Sequence, residues 1–246
     1  MKTILIAAMS LAICSNLWAA EDFGPTRTKI EQAMQGASRT DAEKARDAVE
    51  RKPVETLEFF GLRENMRVLE LVPGGGWYTK ILAPTLRENG KLYISIGTDG
   101  IADSVLSQPG FDRVEILPLP EGMALANIGE FNFSVTDLDM VVTFRNLHNM
   151  NAESRTNLNA AVFDSLKSGG LYGVKDHTRR HMEETTRANG RRMDPVLVIK
   201  EIQDAGFEFV DFSTLHASPV DALELEVGNA DVTGRTDRFT LLFRKP

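Results

Sequence analysis

Glu70 and the glycines that follow it, Gly74, Gly75 and Gly76, form the stretch most able to do chemistry. Glu70 lies in an apolar run, RVLELV, that ends at Pro73. A carboxylate at the end of an otherwise buried strand is costly unless it has a partner. A ligand's ammonium group, or a pair of its hydroxyls, would supply one. Glycine has no Cβ, so backbone at Gly74–Gly76 can come close to a ligand. The N–H groups near Trp77 and Tyr78 would then point at that ligand, with the positive end of a helix dipole behind them. Two other polar clusters follow apolar runs: Arg145-Asn146 with His148-Asn149, and Asp176-His177. A histidine near a carboxylate has the make-up of a general base, so His148 and His177 are the catalytic candidates. No His-x-x-x-His or comparable spacing supports a metal site.

Each residue also has a plain structural reading. The glycines could make only a tight turn, and Trp77 and Tyr78 could pack against N-terminal helices. Asp139 would start a strand, and Arg145 could form a structural ion pair. Arg179, Arg180, Arg191 and Arg192 read as a solvated face, and His181 and His216 as surface residues. A β-carbon at Gly76 separates the two readings of the turn. If the turn lies against ligand, Gly76→Val is expected to abolish binding while the protein still folds.

Elements of alternating type must position these residues. Helical patterns cover Glu21–Ala48 and the stretch from Thr40 and Asp41 to Arg51, and another starts at Pro53 and ends at Gly61. Strands are expected at Val68–Val72, Lys91–Gly97, Val114–Leu119, Asp139–Phe144, Leu171–Lys175, Phe207–Leu215 and Arg238–Arg244. Helices are expected at Trp77–Leu86, Ala152–Lys167 and Pro195–Ala205. Strands that alternate with helices give a mostly parallel sheet covered on both faces. The last two strands have no helix between them, so they form an antiparallel C-terminal pair. In such a sheet, ligands lie beyond the C-terminal strand ends near the switch in strand order, where the polar clusters fall.

The chain has 246 residues and 42% apolar composition, enough for one sizeable core. Lys2, the apolar run Ile4–Ile13 and the small residues before Glu21 read as a secretory signal peptide over residues 1–20. Cleavage falls after Ala19 or Ala20, which implies a periplasmic or secreted protein. The run is too short for a membrane span. Residues 21–246 then form a single domain with a helical extension at 21–62. Cys14 is the only cysteine; Ile13 is bulky where a lipidation signal wants a small residue. Without Cys14 the mature chain has no disulfide and no thiolate site. Cleavage removes one positive charge, Lys2, so the net charge moves from −7 to −8. That balance argues against a nucleic-acid partner.

The stretch VLELVPGGG resembles the first motif of class I S-adenosylmethionine-dependent methyltransferases. The blocks PGGGWYTKILAP, VTFRNLHNM, GVKDH and TDRFTLLFRKP resemble a group of secreted bacterial methyltransferases known from sequence. The resemblance covers about residues 50–246 and implies a Rossmann-like α/β fold of seven strands. It implies S-adenosylmethionine as cofactor and an acceptor of unknown identity. Glu70, Gly74, Gly75 and Gly76 would hold the methionine and ribose portion, and Trp77 and Tyr78 would line it. Asn146 and His148 would lie beside the transferred methyl. Val72 stands where the broad family has its first glycine. Ser95-Ile96-Gly97 ends the second strand where the family carries a ribose-binding acid, and Asp99 follows slightly late.

Two other functions compete. A Rossmann-type dehydrogenase would want a third glycine where Thr79 stands. A secreted binding protein could keep the fold and have lost transfer, because the cofactor is made in the cytosol.

Overall fold

The computed structural model describes residues 22–246. The expected signal segment, both cleavage positions and Cys14 lie outside the described residues.

The strands are β1 (Arg67–Leu71), β2 (Lys91–Ser95), β3 (Glu115–Leu117), β4 (Leu138–Phe144), β5 (Leu166–His177), β6 (Glu208–Ser213) and β7 (Arg238–Arg244). They form one sheet in the order β3-β2-β1-β4-β5-β7-β6. β3, β2, β1, β4 and β5 run parallel, and β7 is antiparallel to both β5 and β6. The chain winds outward from β1 to β3, then crosses back to β4, so the switch in strand order lies between β1 and β4.

Alternation along the strands sends side chains to two apolar layers. Leu69, Leu71, Val141 and Val174 pack against helices α6 (Ala152–Ser165) and α7 (Pro195–Asp204). Val68, Ile94, Met140 and Val142 pack against α1 (Gly24–Met34), α3 (Pro53–Phe59) and α4 (Thr79–Leu86). Each fully buried Leu or Ile on these faces contributes roughly 1.5–3 kcal/mol. Helices therefore cover both faces, and the N-terminal extension is one of the covering layers.

Local chemistry sets the helix starts. Thr40 and Glu43 make a reciprocal capping box on the short helix α2 (Asp41–Ala45). Asn151 accepts from Ser154 N to start α6, and Asp194 accepts from Val196 N to start α7. Several boundaries differ from the sequence expectation, two of them beside the site. The helix expected to run to Arg51 stops at Ala45, and a wide turn, Asp47–Arg51, follows it. The helix expected from Trp77 begins at Thr79, because Gly74–Tyr78 form a turn. Its first i→i−4 bond runs from Lys80 N to Gly76 O at 2.9 Å. The N–H groups of Trp77 and Tyr78 stay outside that ladder.

Candidate functional site

The C-terminal ends of β2, β1 and β4, three neighbours in the sheet, are strained in the same way. Ile96 has φ 67°, Val72 φ 51° and Arg145 φ 64°. Left-handed backbone at non-glycine residues is uncommon, and for β-branched Val and Ile it costs on the order of 1–3 kcal/mol. Backbone bonds hold two of them in place: Val72 N to Ser95 O at 2.9 Å, and Arg145 N to Lys175 O at 2.6 Å. Val72 thus occupies a position whose φ suits glycine, which is the residue the resemblance places there.

A cleft of about 170 Å³ opens beyond these strand ends. Glu70, Val72, Pro73, Gly74 and Gly75 line it from β1 and its turn. Phe144, Arg145 and Asn146 line it from β4, Trp77 and Tyr78 from the approach to α4, and Arg51 from the N-terminal extension. Glu70 is buried, and its one hydrogen-bond partner among the described residues is Thr79, whose Oγ1 donates to Oε2 at 2.6 Å. Burial pushes its carboxyl up from 4.5 to about 7, and the Thr79 bond opposes this. A β-carbon at Gly74 or Gly75 would meet nothing within 4 Å, so the backbone there faces open space. Gly76 differs. Its φ is 77°, and a β-carbon would stand 2.9 Å from Ile101 Cδ1 and 3.0 Å from Val105 Cγ2. It serves the close approach of the segment after β2, so Gly76→Val tests folding rather than ligand contact.

Trp77 and Tyr78 line the cleft and also anchor the N-terminal layer. The Trp77 ring lies under the guanidinium groups of Arg39 and Arg51, each 4.8 Å from its centroid. Tyr78 stacks on Phe144 at 3.5 Å, donates to Arg51 O, and accepts from Lys175 Nζ at 2.7 Å. Asn146 Nδ2 donates to Val72 O and Phe144 O, both at 3.1 Å, and so ties β1 to β4 at the switch. Asp99 sits exposed at the start of the one-turn helix α5 (Asp99–Ile101), after β2, and does not line the cleft.

The two histidine candidates come together, with their rings 5.7 Å apart, but neither lines the cleft. Asp176 pairs with His148, not with the side chain of its neighbour: Asp176 Oδ1 lies 2.6 Å from His148 Nδ1. Its carboxylate also accepts from the backbone N–H of both His148 and His177. His148 Nε2 makes no hydrogen bond to a described residue, so this imidazole has one oriented and one free nitrogen. His177 is buried with Nδ1 2.9 Å from Thr236 Oγ1. Burial, with Arg238 next, pushes it down to about 2, so it is neutral at physiological pH.

Other expectations change. His216 is buried, not on the surface, between Thr240 Oγ1 at 2.8 Å and Arg51 O at 3.1 Å. Arg192 is also buried and forms a two-pronged bond to Asp221, whereas Arg180 and Arg191 pair on the surface. Arg145 has no acidic partner among the described residues. Sequence reading missed Lys175, Arg51 and Arg238. Lys175 stood out only as a lysine inside an apolar strand, GVKDH. No group of three or more His, Cys, Asp or Glu among the described residues is placed to hold a metal ion. No helix there is long and apolar enough to cross a membrane.

Solved structures share this architecture. A SAM-dependent methyltransferase from Aquifex aeolicus matches with TM-score 0.57 at 16% identity, covering 88% of this chain and 97% of its own. The glycopeptide N-methyltransferase MtfA in complex with sinefungin matches with TM-score 0.53 at 16% identity, over 86% of this chain and 89% of its own. The [4+2]-cyclase SpnF matches with TM-score 0.55 at 16% identity, over 90% of this chain and 93% of its own. The chain has the class I S-adenosylmethionine-dependent methyltransferase-like fold. No family model and no curated protein matches it. In this methyltransferase-like fold the cleft lies at the switch point between β1 and β4, where such open α/β sheets bind ligands.

Proposed function

We propose that this protein is an S-adenosylmethionine-dependent methyltransferase acting on an acceptor outside the cytosol. The supporting observation is a buried carboxylate, Glu70, with one donor, in the same cleft wall as the open backbone of Gly74 and Gly75. These residues fit the cofactor. A ligand amine or hydroxyl would give Glu70 its second partner, and the bare turn leaves room for the ligand to lie close. Trp77, Tyr78 and Asn146 complete the wall. When bound, the cofactor supplies an electrophilic methyl group on a sulfonium. The protein's own contribution is proximity and orientation. Where the acceptor must lose a proton, His148 is the base, because Asp176 fixes its Nδ1 and leaves Nε2 free. The sequence pattern at Lys2 and Ile4–Ile13 supports export.

One observation favours a second reading, binding without transfer: neither His148 nor His177 lines the cleft. Calorimetry with S-adenosylmethionine and its demethylated product tests both readings. Binding with labelled methyl released to an acceptor supports the enzyme. Binding without release across an acceptor panel supports the second reading. No heat and no thermal shift at millimolar ligand removes both.

A further inference from the structure

We propose that Arg51 and Arg145, backed by Arg238, form an oxyanion subsite that binds a carboxylate or phosphate group of the methyl acceptor. The word acceptor rests on the methyltransferase reading; the oxyanion subsite itself does not. Arg51 and Arg238 are each 6% exposed, and Arg51 and Arg145 line the cleft. The Nε atoms of all three are buried with no hydrogen-bond partner. None has an acidic partner within salt-bridge distance among the described residues. The nearby acids are already engaged. Glu50 Oε2 accepts from Arg46 Nε and Nη2 at 3.1 and 2.9 Å, and Asp47 accepts from Arg39 at 2.6 and 2.8 Å. Asp176 holds His148.

Buried cations without counter-charges are costly, and arginine cannot escape the cost by losing its proton at neutral pH. Burial and mutual repulsion act on the whole group. Arg51 is pushed down to about 9, first by burial and then by Arg145, and Arg238 to about 10 by the same two causes. Lys175, fully buried beside them, is held well below its usual range by burial and then by Arg51. Lys175 can relieve the repulsion by becoming neutral, but the arginines need an anion. Arg51 also lies over the Trp77 ring, its guanidinium carbon 4.8 Å from the centroid, and a guanidinium fork suits a two-pronged grip on an oxyanion.

The cofactor does not supply the missing charge. Its carboxylate is balanced by its own ammonium group, and its sulfonium adds a further positive charge. Binding it leaves the three arginines without a contacting counter-charge, since Glu50 and Asp176 act on them only at longer range, and adds a cation to the cleft. The acceptor is therefore the component that carries the anion.

The probes are benzoate and phenyl phosphate, at fixed ionic strength with sodium chloride as the control. Either probe should raise the melting temperature of the wild-type protein above the chloride control. In calorimetry, Arg51→Gln and Arg145→Gln should each weaken that probe about tenfold or more, the size of a lost charge-assisted pair. Tighter benzoate binding assigns a carboxylate, and tighter phenyl phosphate binding a phosphate. Without probe, the variants should melt at or above the wild-type temperature, because a repulsive charge is gone. S-adenosylmethionine should bind at least as tightly with probe present. Absence of probe binding to the wild type overturns the subsite, whether or not the variants fold. So does equal binding by both folded variants. If a probe competes with S-adenosylmethionine, the arginines hold the cofactor's own carboxylate and the proposal fails. If the probes bind through the arginines but S-adenosylmethionine does not bind at all, the subsite stands and the methyltransferase reading falls.

Discussion

At the scale of single residues, Glu70 carries the sharpest conflict between charge and burial. Its carboxyl is raised from 4.5 to about 7, so the folded chain holds the proton more tightly than the unfolded chain does. Glu70's own contribution to stability is then greatest below pH 4.5, falls as pH climbs from there through 7, and stays reduced above. At 1.36 kcal/mol per pKa unit the loss is about 3 kcal/mol. Glu70→Gln removes it, although the new amide lacks a full set of partners. The variant should exceed wild-type stability by about 1–3 kcal/mol at pH 8, with the gap closing towards pH 4. Urea denaturation at the two pH values measures this; a gap that ignores pH would refute the burial account. Gly75 gives the companion test of the cleft. Its φ is ordinary and its surroundings open, so Gly75→Val should melt close to wild type while losing at least about tenfold in S-adenosylmethionine affinity. Gly76→Val, by contrast, should lose more than about 1 kcal/mol of stability. Glu70, the glycines and Asn146 were legible in sequence because local pattern marks a strand end. Arg51, Arg238 and the buried His216 were not. Each matters only through neighbours far along the chain, such as the contact between His216 Nε2 and Arg51 O.

At the scale of elements, the strands were the most legible, since apolar runs bounded by glycine and proline leave little choice of period. β7 spans Arg238–Arg244, as its sequence indicates, while β5 begins at Leu166, inside the helix expected at Ala152–Lys167, and runs on through Gly169-Gly170. The reason is tertiary: Gly169 N donates to Lys245 O and Lys245 N donates to Gly170 O, so the C-terminal strand draws the turn into the sheet. Helix starts were less legible, because the turn before α4 is held by Trp77 and Tyr78 docking on the N-terminal layer. One glycine within β5 sets how closely that layer approaches. A β-carbon at Gly173 would stand 2.6 Å from Phe60 ring atoms. Gly173→Ala should therefore cost about 1–3 kcal/mol by overpacking. Phe60→Leu in the same chain should recover part of that cost, whereas each single change alone destabilises. A double-mutant cycle by denaturant unfolding reads the coupling, and additive losses would show that the two residues are not pressed together.

At the scale of the whole molecule, alternating strands and helices made the seven-stranded architecture legible, but not the dual role of the N-terminal extension. That segment was expected as a helical extension over residues 21–62. It covers a sheet face, burying Ile30, Leu57 and Phe60 against β1, β4 and α4, and it also brings Arg51 into the cleft. On the proposed export, the position of the cut therefore decides whether the fold is complete. Phe23 is buried, and Asp22 Oδ1 accepts from Gly24 N at 2.9 Å at the start of α1. Cleavage after Ala19 or Ala20 leaves both in place. Mass spectrometry of the periplasmic or secreted fraction should find an N-terminus near Glu21, and an intact Met1 there would rule the export reading out. A chain begun at Glu21 should unfold in one cooperative transition. A chain begun at Gly61 loses five fully buried side chains, Thr26, Ile30, Thr56, Leu57 and Phe60, and exposes the apolar face they covered. At roughly 1.5–3 kcal/mol for each large apolar side chain, the loss approaches the 5–15 kcal/mol that holds a typical domain folded. The shorter chain should thus show no cooperative melt and should bind neither S-adenosylmethionine nor benzoate. A cooperative melt from it would mean that the extension is an accessory and not a layer of the core.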